Sequence, residues 1–147
     1  MPSTSRAAPT TATATLRSAT LVSDVEALRV ASGAALEIFS TVLFGAPGLR
    51  ATSAPPWLSA SALAVDDSGP LLSVDTEDVT TPERLAELGC AACLVVPASL
   101  VDATGHLAAG ANALVDSGDE DQSAPDDLDG EARPAGAAPD IGCDERP

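Results

Sequence analysis

Apolar positions recur at helical spacing over one long stretch. Val25, Leu28, Ala31, Ala35, Phe39 and Val42 fall three or four residues apart. Ser23-Asp24-Val25-Glu26 precedes them and reads as a capping box, in which the Ser oxygen accepts an amide and the Glu reaches back to the cap. Gly45 stands where a helix-ending glycine belongs, and Pro47 follows. The pattern predicts a helix over 24–44, the longest element, packed on a sheet.

Beyond it the pattern breaks up. Gly45, Pro47, Gly48, Pro55 and Pro56 punctuate a loop over 45–57. Residues 58–65 alternate loosely, with Leu63 and Val65 on one face. Asp66-Asp67-Ser68-Gly69 is turn chemistry, and Pro70 to Val74 follows, so the stretch predicts a hairpin. Thr80-Thr81-Pro82-Glu83 opens a second helix with a Thr cap, Pro in the first turn and an acid near the positive end of the dipole. Leu85 and Leu88 form its apolar face and Gly89 ends it. Cys93 to Val96 reads as a buried strand stopped by Pro97, residues 98–105 as a loop, and 106–115 as a last strand. The Thr/Ala alternation from Thr11 suits an edge strand within an otherwise mobile arm. No internal repeat stands out.

These elements predict an α/β (α+β) fold. One small domain over 21–115 carries a long N-terminal helix on a short, mainly antiparallel sheet. It lies between a disordered arm, 1–20, and an acidic disordered tail, 116–147.

Composition thins the expected core. Of the 45% of residues that are hydrophobic, 29 are Ala, Tyr is absent, and the aromatics are Phe39, Phe44 and Trp57. Aromatic side chains usually supply much of a core's buried area, so this one rests on Leu, Val and Ala.

Charge narrows the partners. The chain holds 22 acids, 7 Arg and no Lys, a net charge of −15. Nucleic-acid phosphates and anionic membrane surfaces repel such a chain. The composition resembles that of halophilic archaeal proteins; codon bias in a high-GC bacterium is the alternative. Residues 116–147 hold 11 acids against Arg133 and Arg146. A segment of that composition is expected to stay unfolded and could meet a basic protein. No apolar run approaches a membrane span. The acid-free stretch 1–23 suits either a transit peptide or a disordered arm, and it has no secretory apolar region. Three Cys without an export signal point to a reducing cytoplasm.

Candidate chemistry is sparse. Cys90-Ala91-Ala92-Cys93 would serve a redox exchange, in which the second thiol resolves a mixed disulfide. With His106 and Cys143 it would also offer zinc its N/S ligands. Two small buried apolar residues at a strand entrance are the plainer account. Asp102, four residues before His106, could orient its imidazole as a general base. Asp66/Asp67 and Asp75/Glu77/Asp78 could hold Ca²⁺ or Mg²⁺, or simply face water. There is no Lys for a P-loop or Schiff base, no GxGxxG and no GxSxG. The expectation is a protein without a cofactor and without enzymatic activity.

Leu88-Gly89-Cys90-Ala91-Ala92-Cys93-Leu94-Val95-Val96-Pro97, followed by Gly105-His106-Leu107-Ala108-Ala109-Gly110, resembles the second half of a GAF domain. The resemblance spans residues 85–115 and implies a small-molecule-sensing or regulatory role. The overall expectation is therefore a non-catalytic regulatory or binding domain. The alternatives are a reading frame with no selected function, a small CxxC redox or zinc protein, and a tail-mediated interaction protein.

Overall fold

Strands, rather than a long helix, make up the described residues of the first half of the chain. The computed structural model describes residues 12–31, 34–52, 58–67, 69–90 and 92–146, and for 58–63 the backbone alone. Residues 1–11 of the expected arm, Trp57 and Ser68 lie outside the described residues.

The described chain runs β1 (Ala12–Arg17), β2 (Thr20–Val22), β3 (Leu28–Val30), β4 (Ala34–Phe44), β5 (Leu49–Ala51), β6 (Leu58–Asp66), β7 (Leu72–Val74), β8 (Glu77–Val79), α1 (Pro82–Glu87) and β9 (Cys93–Val96). The expected long N-terminal helix does not exist, and the expected mainly antiparallel sheet is mainly parallel. Residues 24–44 form β3 and β4 instead. Ile38, Phe39, Thr41, Val42 and Phe44 are β-branched or aromatic and suit a pleated surface. Their end of β4 is also buried on both faces, so its apolar run carries no alternation that would mark it as a strand. The capping box dissolves as well. Ser23 Oγ accepts the Val25 amide at 3.2 Å, but Glu26 turns to Arg29 and Arg50.

The strands stack as coils. β1 pairs with β4 in parallel, Ala12 beside Ala34, a step of 22 residues. β4 pairs with β6 at the same step, Leu36 beside Leu58. β3, β5 and β7 stack in a second sheet, with Leu28, Leu49 and Leu72 in one column. Each turn of the chain thus lays one strand on each sheet, as in a β-solenoid. The rungs share some residues, among them Leu28, Leu49 and Leu72 in one column and Arg29 beside Arg50, but the steps of 21 to 23 residues are uneven and most paired positions differ. The step from β6 to β9 is longer, with Leu63 beside Cys93, because β8 and α1 are inserted there.

The expected hairpin across 66–69 does not form. β6 and β7 belong to different sheets, and the hairpin lies one step later, between β7 and β8. The second helix and the strand after it appear where expected: Thr81 Oγ1 caps the Arg84 amide of α1, and β9 covers Cys93–Val96. Residues 106–115 contain a single bridge, Val101 to Leu107, and turns rather than a strand.

A bend divides the apolar residues into two layers. Ser18 and Ser40, one coil apart, adopt left-handed φ of 44° and 45°. Before the bend Leu36 and Ile38 point between the sheets; after it Leu43 does so, while Val42 and Phe44 point outward. The inner core joins these residues to Leu49, Val65, Leu72, Val79 and Leu85. The outer layer sets Val42, Phe44, Ala64 and Val96 against Val101, Leu107, Ala111, Leu114 and Ile141.

Residues 116–146, expected above as a disordered tail, help to cover that outer layer. Gly142 N donates to Ser40 O, Asp119 N to Ser40 Oγ and Ala124 N to Ser18 Oγ. The stacked bends therefore anchor the C-terminal segment.

Candidate functional site

Carboxylates organise the C-terminal segment by accepting backbone amides. Asp140, wholly buried, takes the amides of Asp116 at 2.7 Å and Arg146 at 2.9 Å. Burial pushes its carboxyl up against the pull of those amides. Glu145 takes Ala135 N and Asp140 N, and lies 2.9 Å from Arg133 Nε in an ion pair with both side chains buried. Arg133 also donates to Asp140 O and Gly142 O. The acids here act as structural acceptors for turns that would otherwise leave amides unpaired.

His106 sits at the edge of this region. Asp102 Oδ1 accepts from Thr104 N at 2.8 Å, Thr104 Oγ1 at 2.6 Å and His106 N at 3.1 Å, folding 102–106 into a tight turn. Thr104 Oγ1 lies 2.7 Å from His106 Nδ1, and Asp129 Oδ2 lies 3.2 Å from Nε2. Thr104 Oγ1 gives its hydroxyl proton to Asp102, which leaves it to accept at His106 Nδ1, and Asp129 faces Nε2. In agreement, the hydrogen bond to Asp129 holds the His106 pKa above its ordinary value, and the Thr104 hydroxyl holds Asp102 below its own.

Asp144 completes a cluster. It is buried, its Oδ2 accepts Leu107 N at 2.8 Å, and His106, Asp129 and Asp144 each offer a ligand atom within 4.8 Å of the others. A small divalent cation could take these three atoms once His106 loses its proton. The expected Asp102–His106 dyad is thus brought together, at 3.8 Å, with Thr104 Oγ1 hydrogen-bonded to both groups.

The other candidates lie apart. Cys90 and Cys93 are joined in a disulfide between the end of α1 and β9, and neither is part of the His106 cluster. Cys143 is free, and its Sγ donates to Gly105 O at 3.5 Å. A cleft of about 560 Å³ runs past Glu120, Ser123, Pro125, Arg133 and Pro139.

No family model, curated protein or solved structure matches this chain. The site must therefore be read from its own geometry.

One surface escaped the sequence reading. Among the described residues, β1, β2 and β3 form the first rung of the coil stack, in which β1 pairs with β4 alone and β3 with β5 alone. Ser18 N donates to Phe39 O, so by alternation the amides of Thr13, Thr15 and Arg17 point away from β4. The apolar columns end here too. Leu16, Leu21 and Leu28 are half-buried, whereas Ile38, Leu43 and Leu49 one rung below are fully buried. Val22 and Val25 are 59% and 66% exposed. The edge strand carries neither Lys nor Pro, residues that commonly protect such edges. Only the Thr/Ala alternation from Thr11 hinted at this edge.

Proposed function

We propose that this chain is a non-catalytic binding module that takes up an extended polypeptide by strand addition at β1, in the first described rung of its coil stack. The observation behind this reading is that rung itself, where outward amides on β1 and half-buried Leu16, Leu21 and Leu28 lie together. Main-chain hydrogen bonds would supply affinity and the apolar column ends would select small or aliphatic side chains. The expected regulatory or binding role is kept; its ligand becomes a polypeptide.

The test uses a synthetic peptide with the sequence of residues 34–52, which forms the next rung of the stack itself. Amide exchange is followed by NMR with and without peptide. Slowed exchange at Thr13, Thr15 and Arg17 is expected, with β6 and β7 unchanged. Unchanged exchange at the three β1 amides at millimolar peptide overturns the reading.

A further inference from the structure

Asp144 is a buried carboxylate without an arginine partner. It is 7% exposed, and its Oδ2 is pinned by the Leu107 amide at 2.8 Å. Among the described residues, the arginines of its own segment are engaged elsewhere, Arg133 with Glu145 and Arg146 with Ala108 O. Buried charges in proteins are paired or coordinate metals. Beside Asp144 stands His106, whose Nδ1 lies 2.7 Å from Thr104 Oγ1. That hydroxyl gives its proton to Asp102, so it can only accept from the ring, and Nδ1 must carry the ring hydrogen. The Nε2 lone pair of the neutral ring then points at Asp129 Oδ2, 3.2 Å away. Two acceptors that face each other so closely need a cation between them. In the metal-free ring a second proton fills that place.

We propose that His106 Nε2, Asp129 and Asp144 bind one divalent metal ion of the zinc type, which clips the C-terminal segment to the turn 102–106. Two ligands on one metal with bonds of about 2.0–2.2 Å stand roughly 3–3.5 Å apart, and the Nε2–Asp129 separation falls in that range. All three ligand atoms lie within 4.8 Å of one another, and Asp129, on an exposed turn, can close on the ion while Asp144 stays fixed. A neutral imidazole and two carboxylates carry two negative charges, which a divalent ion balances. One nitrogen and two oxygens suit zinc, with water in the fourth position. Thr104 and Asp102 supply the outer support that metal-bound imidazoles use to fix their second N–H. The site shares no residue with β1 and stands apart from the strand-addition reading.

The experiment titrates the untagged full chain with zinc chloride at pH 8 and without reductant. A background of 1 M KCl screens loose condensation of cations on the acidic surface. The chain is used as it stands and as Cys143→Ser, which removes a free thiol that could compete for zinc. Calorimetry reads stoichiometry and affinity. The chain has a single histidine, so proton–nitrogen NMR of its ring reports which nitrogen takes the metal. One zinc per chain is expected in both, with the Nε2 signal shifted and Nδ1 still protonated. Thr104→Val touches no metal and should weaken binding by about tenfold or more, and Asp129→Asn should weaken it further. Zinc should raise the melting temperature of the parent but not of Asp129→Asn. If either variant alters the far-ultraviolet spectrum, the ring signals of the parent decide. Absence of saturable binding, an affinity unchanged by Asp129→Asn, or bound zinc that leaves the His106 ring signals unmoved overturns the proposal.

Discussion

Arg133→Met tests whether the acidic C-terminal segment is held by its buried ion pair. The arginine side chain is 1% exposed and its partner Glu145 wholly buried, with Nε 2.9 Å from Oε2. That contact is not aligned as a hydrogen bond, so its attraction is chiefly coulombic. The remaining guanidinium nitrogens donate to Gly142 O at 3.0 Å and Asp140 O at 2.6 Å. Methionine fills much of the aliphatic stem's volume but removes the charge and all these donors. Glu145 keeps two backbone amides, from Ala135 and Asp140, and loses its counter-charge. Stranding one member of a buried pair costs about 3–5 kcal/mol. Against a typical total of about 5–15 kcal/mol that is a large share. Urea denaturation followed by far-ultraviolet circular dichroism measures it. With a slope of about 1–3 kcal/mol per molar, the midpoint should fall by about 2 M. Adding Glu145→Gln to Arg133→Met should recover part of the loss by removing the stranded charge. A midpoint within about 0.3 M of the parent would refute the reasoning and show that the pair contributes nothing to holding the segment.

Three further outcomes follow from particular contacts. Gly118→Ala places a Cβ 2.6 Å from Pro139 O and 2.9 Å from Asp140 O, both backbone, so thermal unfolding should show a loss of about 1–3 kcal/mol. Ile38→Ala empties a fully buried position between the sheets and should cost about 2–5 kcal/mol by chemical denaturation. His106 has a raised pKa with Asp129, Asp144 and Asp102 facing it, so its stabilisation is complete below its unfolded value of 6.5 and is lost as pH rises through the higher folded value. Asp129→Asn should flatten that dependence of melting temperature on pH, and an NMR titration of His106 should show its pKa falling.

Local signals were legible where a single mechanism acts within a few residues. Thr81 capping, Pro82 in the first turn and Gly89 after the end gave α1. Four apolar residues stopped by Pro97 gave β9. The candidate cluster was legible only in part. His106 stood out as the lone histidine and Asp102 as its near neighbour, but Asp129 and Asp144 come from 23 and 38 positions further on. No spacing rule joins them, because a packed loop rather than a helix face brings them together. Asp102, Asp119 and Asp127 accept amides two residues ahead, so the acids carried a turn signal that net charge obscured.

The amino-acid sequence alone determined the short helix, the strand after it, the aromatic-poor core and the net charge of −15. Tertiary structure decided the rest. Val25, Leu28, Ala31, Ala35, Phe39 and Val42 satisfy helical spacing, yet the chain is a strand where β4 can be covered on both faces, by the inner core and by the C-terminal segment. Periodicity reports which side of an element is wet, and it loses that information once both sides are dry. The acids of 116–146 follow the same logic. Composition counted them as solvated charge, but packing against the bends at Ser18 and Ser40 turned several into acceptors for buried amides. A carboxylate repels its like in water and caps a turn when buried, and only the fold determines which environment it meets.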